Sequence, residues 1–169
     1  MARLEIRLEG DRVLRQRARE VRKVNAALRR LIDDMIETMR AAPGVGLAAN
    51  QVGVLRRVIV VDDDEAPLAL INPEILSSEG EAVGTEGCLS IPGVQGEVPR
   101  ATRIHVKALD RDGREQHFVS QDFQARVIQH EVDHLDGILF TDRALSIEAI
   151  EVAVRDGAVA SDDESGAGL

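Results

Sequence analysis

The segment around residues 120–137 constrains the fold most. Phe123, Val127, His130 and His134 fall at i, i+4, i+7 and i+11, which places them on one face of an α-helix. Ile128, Val132 and Leu135 supply a second apolar edge. A helix that is apolar around most of its circumference sits inside a fold rather than on it. Ser120 or Asp122 is expected to cap its start, and Gly137 to end it. The two histidines are then buried, and polar groups without partners are costly to bury.

The order His130-Glu131-Val132-Asp133-His134 suggests what partner they have. Residues four apart lie one above the other on a helix face. Two imidazoles so placed can bind one metal ion, while Glu131, about 100° round the helix, reaches water beside it. The pattern therefore reads as the centre of a metal-dependent hydrolase. A catalytic site of this kind needs a third protein ligand and one open position. Cys88 lies in Thr85-Glu86-Gly87-Cys88-Leu89-Ser90-Ile91-Pro92-Gly93. Gly87 allows close backbone approach, and Pro92-Gly93 is expected to turn the chain. A thiolate suits a soft or borderline metal, so Cys88 is the expected third ligand. As the one cysteine of the chain it can form no intramolecular disulfide. His105 and His117 are read as ordinary strand residues.

The rest of the chain must build an aliphatic core, because it has three Phe and no Trp or Tyr. Leu28, Leu31, Ile32, Met35, Ile36 and Met39 make one apolar stripe on an N-terminal helix capped by Asn25 and ended by Pro43-Gly44. Residues 44–53 are too Gly-rich for a helix and too apolar for an exposed loop, and read as a close-packed turn. Residues 57–61 and 68–71 read as short strands, with Asn72-Pro73 breaking the second. Residues 104–109 and 115–119 form a hairpin around Asp110-Arg111-Asp112-Gly113. Residues 138–140 are expected to return to a sheet and residues 146–155 to form a short C-terminal helix. Residues 156–169 are acidic and Gly/Ala/Ser-rich and are expected to be disordered. Strands do not alternate regularly with helices. The expected class is α+β, with antiparallel sheets around the central helix, in a single domain over residues 1–155.

The formal charge is −9, with four of the acidic groups and no Lys or Arg in residues 156–169. That balance argues against an electrostatic nucleic-acid binder. No apolar run approaches the roughly 20 residues that span a bilayer. The first residues, Met1-Ala2-Arg3-Leu4-Glu5-Ile6-Arg7, carry charges where a signal peptide is apolar. A cytoplasmic protein is expected.

Three segments together resemble the peptide deformylase family. They are Gly44-Val45-Gly46-Leu47-Ala48-Ala49-Asn50-Gln51, Glu86-Gly87-Cys88-Leu89-Ser90 and Gln129-His130-Glu131-Val132-Asp133-His134-Leu135-Asp136-Gly137. They occur in the family's order and approximate spacing, and the likeness covers residues 10–145. It implies removal of formate from the N-formylmethionine that begins new bacterial polypeptides. It implies Cys88, His130 and His134 as metal ligands, Glu131 as general acid/base, and Gln51 and the backbone N–H of Leu89 as donors to the oxyanion. The implied metal is usually iron(II), with zinc, nickel or cobalt able to substitute. Val45, Phe123 and Val127 are expected to line the methionine pocket, and the Gly46 backbone to bond the substrate as an added strand.

The chain departs from the family in three places. Gly10-Asp11-Arg12 replaces a Pro-Asp-Pro-like start. Asn50 stands where proline or threonine is frequent. Gln95 stands where many members carry an arginine near the substrate cleft. The acidic C-terminal end also differs from the basic helix with which some members dock on the ribosome. Two other readings compete. A zinc peptidase would need a His or Glu ligand downstream; no His follows His134, and Glu148 and Glu151 fit less well than the upstream Cys88. A non-catalytic module would have lost Glu131 or Gln51, and both are present.

Overall fold

The computed structural model describes residues 2–150, 153–155 and 158–160. Helix α1 (Ala26–Ala41) forms as the apolar stripe predicts, burying Leu28, Ile32, Met35, Ile36 and Met39. The Asn25 side chain accepts the Leu28 N–H at 3.0 Å, closing its first turn. Strands β1 (Gly46–Ala48), β2 (Val58–Val61) and β3 (Leu68–Glu79) follow. Then come β4 (Ala82–Cys88), β5 (Ile91–Arg100), β6 (Arg103–Leu109) and β7 (Glu115–Gln121). Helix α2 (Asp122–Leu135) carries both histidines, and a single turn, α3 (Phe140–Arg143), precedes β8 (Ser146–Ala149). Five strands form one antiparallel sheet in the order β1-β2-β3-β6-β7, and three form another in the order β4-β5-β8.

The larger sheet is covered on both faces, and β2 shows how. Its alternate residues Val58 and Val60 pack with α1, while Ile59 and Val61 pack with Ala125, Val127, Ile128 and Leu135 of α2. The smaller sheet closes a third cluster of Leu14, Cys88, Ile91, Val98, Leu139 and Phe140. The α+β class with antiparallel sheets around a central helix stands. No helix among the described residues is long and apolar enough to cross a membrane.

Several local expectations are corrected. Asn72-Pro73 does not end β3, which runs on to Glu79 through a register shift between Ile71 and Glu74. Asn72 takes a φ of 52° there, and its amide exchanges two 2.8 Å bonds with the Val21 backbone. A proline is tolerated at such an irregularity because no ladder bond is asked of it. The turn expected at Pro92-Gly93 sits three residues earlier, at Leu89-Ser90, where Cys88 pairs with Ile91. Pro92 and Gly93 lie in β5, inside a bulge that lets Gly87 pair with Gln95. Residues 138–140 make no strand. Leu139 and Phe140 are instead buried at the start of α3.

The short C-terminal helix is absent from residues 146–149. Ser146–Ala149 is strand β8, and it pairs with β5 from Val94↔Ala149 to Glu97↔Ser146. Ile147 is exposed there, so no apolar stripe buries a helix, while the open edge of β5 offers backbone partners. Two further strands, β9 (Ala153–Arg155) and β10 (Ala158–Ala160), pair with each other. The rest of the tail expected to be disordered lies outside the described residues.

Neither Ser120 nor Asp122 caps α2. Gln121 holds that position without a side-chain bond, and the Ser120 hydroxyl donates to Gln124 Oε1 at 2.7 Å. Gly137 does end the helix, at a φ of 76°. The Gly137 N–H bonds to His134 O at 3.0 Å and the Ile138 N–H to Asp133 O at 2.9 Å, the paired closing bonds of a glycine stop.

Candidate metal centre

The turn after β4 carries Cys88 to the face of α2 that holds the histidines. One donor atom from each of Cys88, His130 and His134 lies within 4.8 Å of the others, and all three residues are buried. Cys88 Sγ is 3.3 Å from His134 Nε2. The two imidazole ring centres are 5.0 Å apart. His130 Nδ1 meets Glu86 Oε1 at 2.8 Å, while its Nε2 is buried without a partner. One nitrogen is thus held by a carboxylate and the other presented, as in metal-ligating histidines.

The electrostatics fit an ion. Burial, with Glu131's charge adding to it, pushes the Cys88 thiol up to about 12. Burial, together with the His130 and Arg100 charges, holds His134 well below its ordinary value, so the ring is neutral and its lone pair available. A cation beside the thiol would reverse its preference and keep it ionised. A neutral His134 ring, the presented Nε2 of His130 and a thiol in want of positive charge make a donor set for a divalent metal.

Glu131 lies beside this cluster. Both its carboxyl oxygens are buried without partners. Burial first, then the charge of Glu86, pushes its carboxyl well above the usual range. Gly46 of β1 lies against it: a Cβ there would be 2.6 Å from Glu131 Oε2 and 2.8 Å from Val127 Cγ1. Only glycine allows that approach, which accounts for the glycine of this apolar segment. Gln51 is also buried. Its Oε1 accepts the Ala48 N–H at 3.0 Å, which turns its Nε2 to Ser90 Oγ at 3.1 Å and to Cys88 Sγ at 3.6 Å.

The fold therefore brings together Gly46, Gln51, Cys88, Val127, His130, Glu131 and His134. Leu89 follows Cys88 in the turn, half-buried. Val45 is half-buried against the α2 cluster. Phe123 does not join the buried set. It stands 58% exposed in the first turn of α2, because the face it shares with the histidines leaves the sheet there. Of the departures, Gln95 is buried and its Nε2 donates to Glu148 Oε1 at 2.7 Å across the β5–β8 pair. Asn50 Nδ2 donates to Gln16 O at 2.9 Å. An open groove of about 1000 Å³ lined by Arg17, Arg19, Arg22 and Arg57 shares no residue with this cluster.

Sequence reasoning missed the charged network behind the Cys88, His130 and His134 cluster. Arg100 grips Glu86 with two bonds, of 2.9 and 3.0 Å, and Arg126 adds a third of 2.7 Å. Arg100 also reaches Asp133 at 2.6 Å, and Arg143 of α3 binds the same carboxylate at 2.6 and 3.0 Å. Burial alone would raise Glu86, but the bonds from His130 and Arg100 outweigh it and hold it at about 2. The Phe140 ring lies stacked at 6.1 Å from His130. One signal was available: Asp133 is a charged residue on a helix that the sequence places inside the fold, and a buried charge requires a partner.

Residues 3–149 match the polypeptide deformylase family. The peptide deformylase of Thermoanaerobacter pseudethanolicus is 53% identical over 140 residues, covering 83% of this chain and 88% of that protein. The crystal structure of the Thermotoga maritima peptide deformylase superposes with a TM-score of 0.84 at 44% identity, covering 86% of this chain and 100% of that one. The peptide deformylase of Synechococcus elongatus, solved in complex with actinonin, gives a TM-score of 0.82 at 46% identity, covering 85% and 79%. A match of this extent leaves one conclusion: the chain belongs to the polypeptide deformylase family.

Proposed function

We propose that the chain removes the formyl group from N-formylmethionine at the start of newly made polypeptides and releases formate, using the buried cluster on α2. The observation that carries this reading is the grouping of Cys88, His130 and His134 beside the unpartnered carboxyl of Glu131. Cys88, His130 and His134 would hold one divalent ion. Iron(II) is the favoured ion, with Zn2+, Ni2+ or Co2+ able to substitute, since thiolate and imidazole suit several metals. When bound, such an ion supplies Lewis-acid activation of water and of the formyl group.

The protein's own groups do the rest. Glu131 accepts a proton from the attacking water and returns it to the leaving amine. Gln51 Nε2 and the Leu89 N–H donate to the formyl oxygen as it gains charge, and one such donor is typically worth about 10²–10³ in rate. Ala48 fixes Gln51 for that task by holding its Oε1. The open edge of β1 at Gly46 pairs with the substrate backbone as an added strand. Val45 and Val127, with Phe123 at the rim, receive the methionine side chain.

Formylmethionyl peptides are thus the partners, and the cytoplasm, where such chains begin, is the location. The acidic residues 156–169 offer no basic surface for a ribosome contact. The test is a formate-release assay on short formylated peptides with protein purified anaerobically and analysed for metal. Formate release with internal peptide bonds left intact is the expected result. Cleavage of internal bonds without formate release would assign the site to a peptidase instead.

A further inference from the structure

The two proposed oxyanion donors come from different sheets. Gln51 lies in the short turn Ala49–Val52 that follows β1 of the larger sheet. Leu89 lies in the turn between β4 and β5 of the smaller one. Such donors act together only if something fixes their spacing. One join is direct: Gln51 Nε2 donates to Ser90 Oγ at 3.1 Å, and both residues are fully buried. The Gln51 amide has two hydrogens. The one held by Ser90 leaves the other for the formyl oxygen, provided that the two segments keep this distance.

A second join comes from residues 2–9. Residues 2–8 form neither helix nor strand, yet their N–H groups are used in order. The Ala2 N–H donates to Asp34 Oδ1 at 2.7 Å and the Leu4 N–H to Thr38 Oγ1 at 2.8 Å. These bonds seat the segment on α1 and give the buried Thr38 hydroxyl its partner. The Arg7 N–H then donates to Gln51 O at 2.6 Å, and the Glu9 N–H to Ser90 O at 2.8 Å. Two N–H groups, two residues apart, thus bridge the two turns that carry the donors. The Arg7, Leu8 and Glu9 side chains are exposed, so the hold is made by backbone.

We propose that residues 7–9 are a positioning clip: the Arg7 and Glu9 N–H groups fix Gln51 and the Leu89–Ser90 turn against each other and so set the spacing of the two oxyanion donors. Arg7 and Glu9 act through Gln51 and Ser90, not on the substrate, and the clip rests on the donor roles given under Proposed function. Its loss leaves two carbonyls of buried residues without their donors. The turns then drift apart, and a misplacement of about 1 Å can cost about 10²-fold in rate. Donors that act only on the transition state lower kcat and kcat/KM together and leave KM unchanged.

The test compares R7P and E9P, which each remove one N–H, with R7A and E9A, which keep it. Metal content, and kcat and KM for formyl-Met-Ala, are measured on each protein. Heteronuclear NMR of the zinc-loaded proteins follows the Gln51 side-chain amide and the Leu89 N–H. R7P and E9P are expected to lower kcat about 10–100-fold, with KM and metal content near those of the parent. Their Gln51 and Leu89 signals shift, and R7A and E9A lose far less. An ester in place of the peptide N–H of residue 7 or 9 removes the donor without a proline ring, and replaces any proline variant that melts below the assay temperature. An ester at residue 8 is its control. Gln51 and Leu89 signals that do not move when the N–H is removed would overturn the clip, as would an unchanged kcat. A parent that releases no formate would refute the deformylation reading instead, and the signals alone would then decide whether the clip holds the two turns.

Discussion

Helices α1 and α2 pack on opposite faces of one sheet and are of similar length, 16 and 14 residues, yet they bury different things. The buried face of α1 is Leu28, Ile32, Met35, Ile36 and Met39, joined only by Thr38. Each such apolar side chain stabilises by roughly 1.5–3 kcal/mol through area removed from water. The buried set of α2 includes His130, Glu131, Asp133 and His134 beside Ala125, Val127, Ile128 and Leu135. Those polar groups cost free energy to bury. Arg100 offsets part of that cost at Asp133 and Glu86 at His130, but neither carboxyl oxygen of Glu131 has a hydrogen-bond partner. The difference teaches that α1 is built for stability, and that α2 gives up stability for chemistry.

Substitutions on the two helices should therefore fail in different ways. The largest effect is expected from His134→Ala, and equally from Cys88→Ala. Each removes a proposed ligand, so metal affinity should fall by more than the roughly 10–100-fold typical of losing an outer partner. Elemental analysis after dialysis checks this, and full metal content would remove that residue from the ligand set. On α1, Met35→Ala leaves a cavity where the side chain has no exposure. It should cost about 2–5 kcal/mol in urea unfolding and leave the rate per folded molecule unchanged. A changed kcat there would mean that α1 is coupled to the site, and the comparison would break.

Glu86→Gln tests the support behind α2. It weakens the carboxylate that orients His130, and about a 10–100-fold loss of metal affinity is expected by chelator competition. The melting temperature should also fall, because Arg100 and Arg126 lose a buried counter-charge. The smallest effect belongs to Asn25→Ala. It removes the cap of α1 for about 1 kcal/mol, visible in thermal melts and in no kinetic constant.

The same contrast explains what could be read in advance. Both helices were legible because 3.6-residue periodicity is local, as were the Asn25 cap and the Gly137 stop. The β6–β7 hairpin was legible from its Asp-Gly turn. Strands β4 and β5 were not, since Gly84, Gly87, Gly93, Gly96, Pro92 and Pro99 erase strand propensity. They hold as strands because each pairs with a neighbour, β5 on both edges. Ser146–Ala149 was misread as helix for the same reason: its partner, β5, lies about 50 residues upstream. The placement of His130, Glu131 and His134 on one helix was legible because their spacing is itself the geometry. The network behind them was not. Glu86 meets His130 across 44 residues, and Arg143 arrives from a helix of one turn that no pattern announced. Phe123 shares the helical period of the histidines yet is exposed, since periodicity reports direction and not how far along a helix the cover extends.

The most direct test of the contrast is Glu131→Ala, with metal content, melting temperature and formate release from formyl-Met-Ala measured on the same preparation. Removal of a buried carboxyl with no partner should leave the metal bound and the melting temperature at or above that of the parent. Deformylation should fall by about 10²–10⁴, the range for a lost general acid/base. A variant that still releases formate near the parent rate would contradict the account.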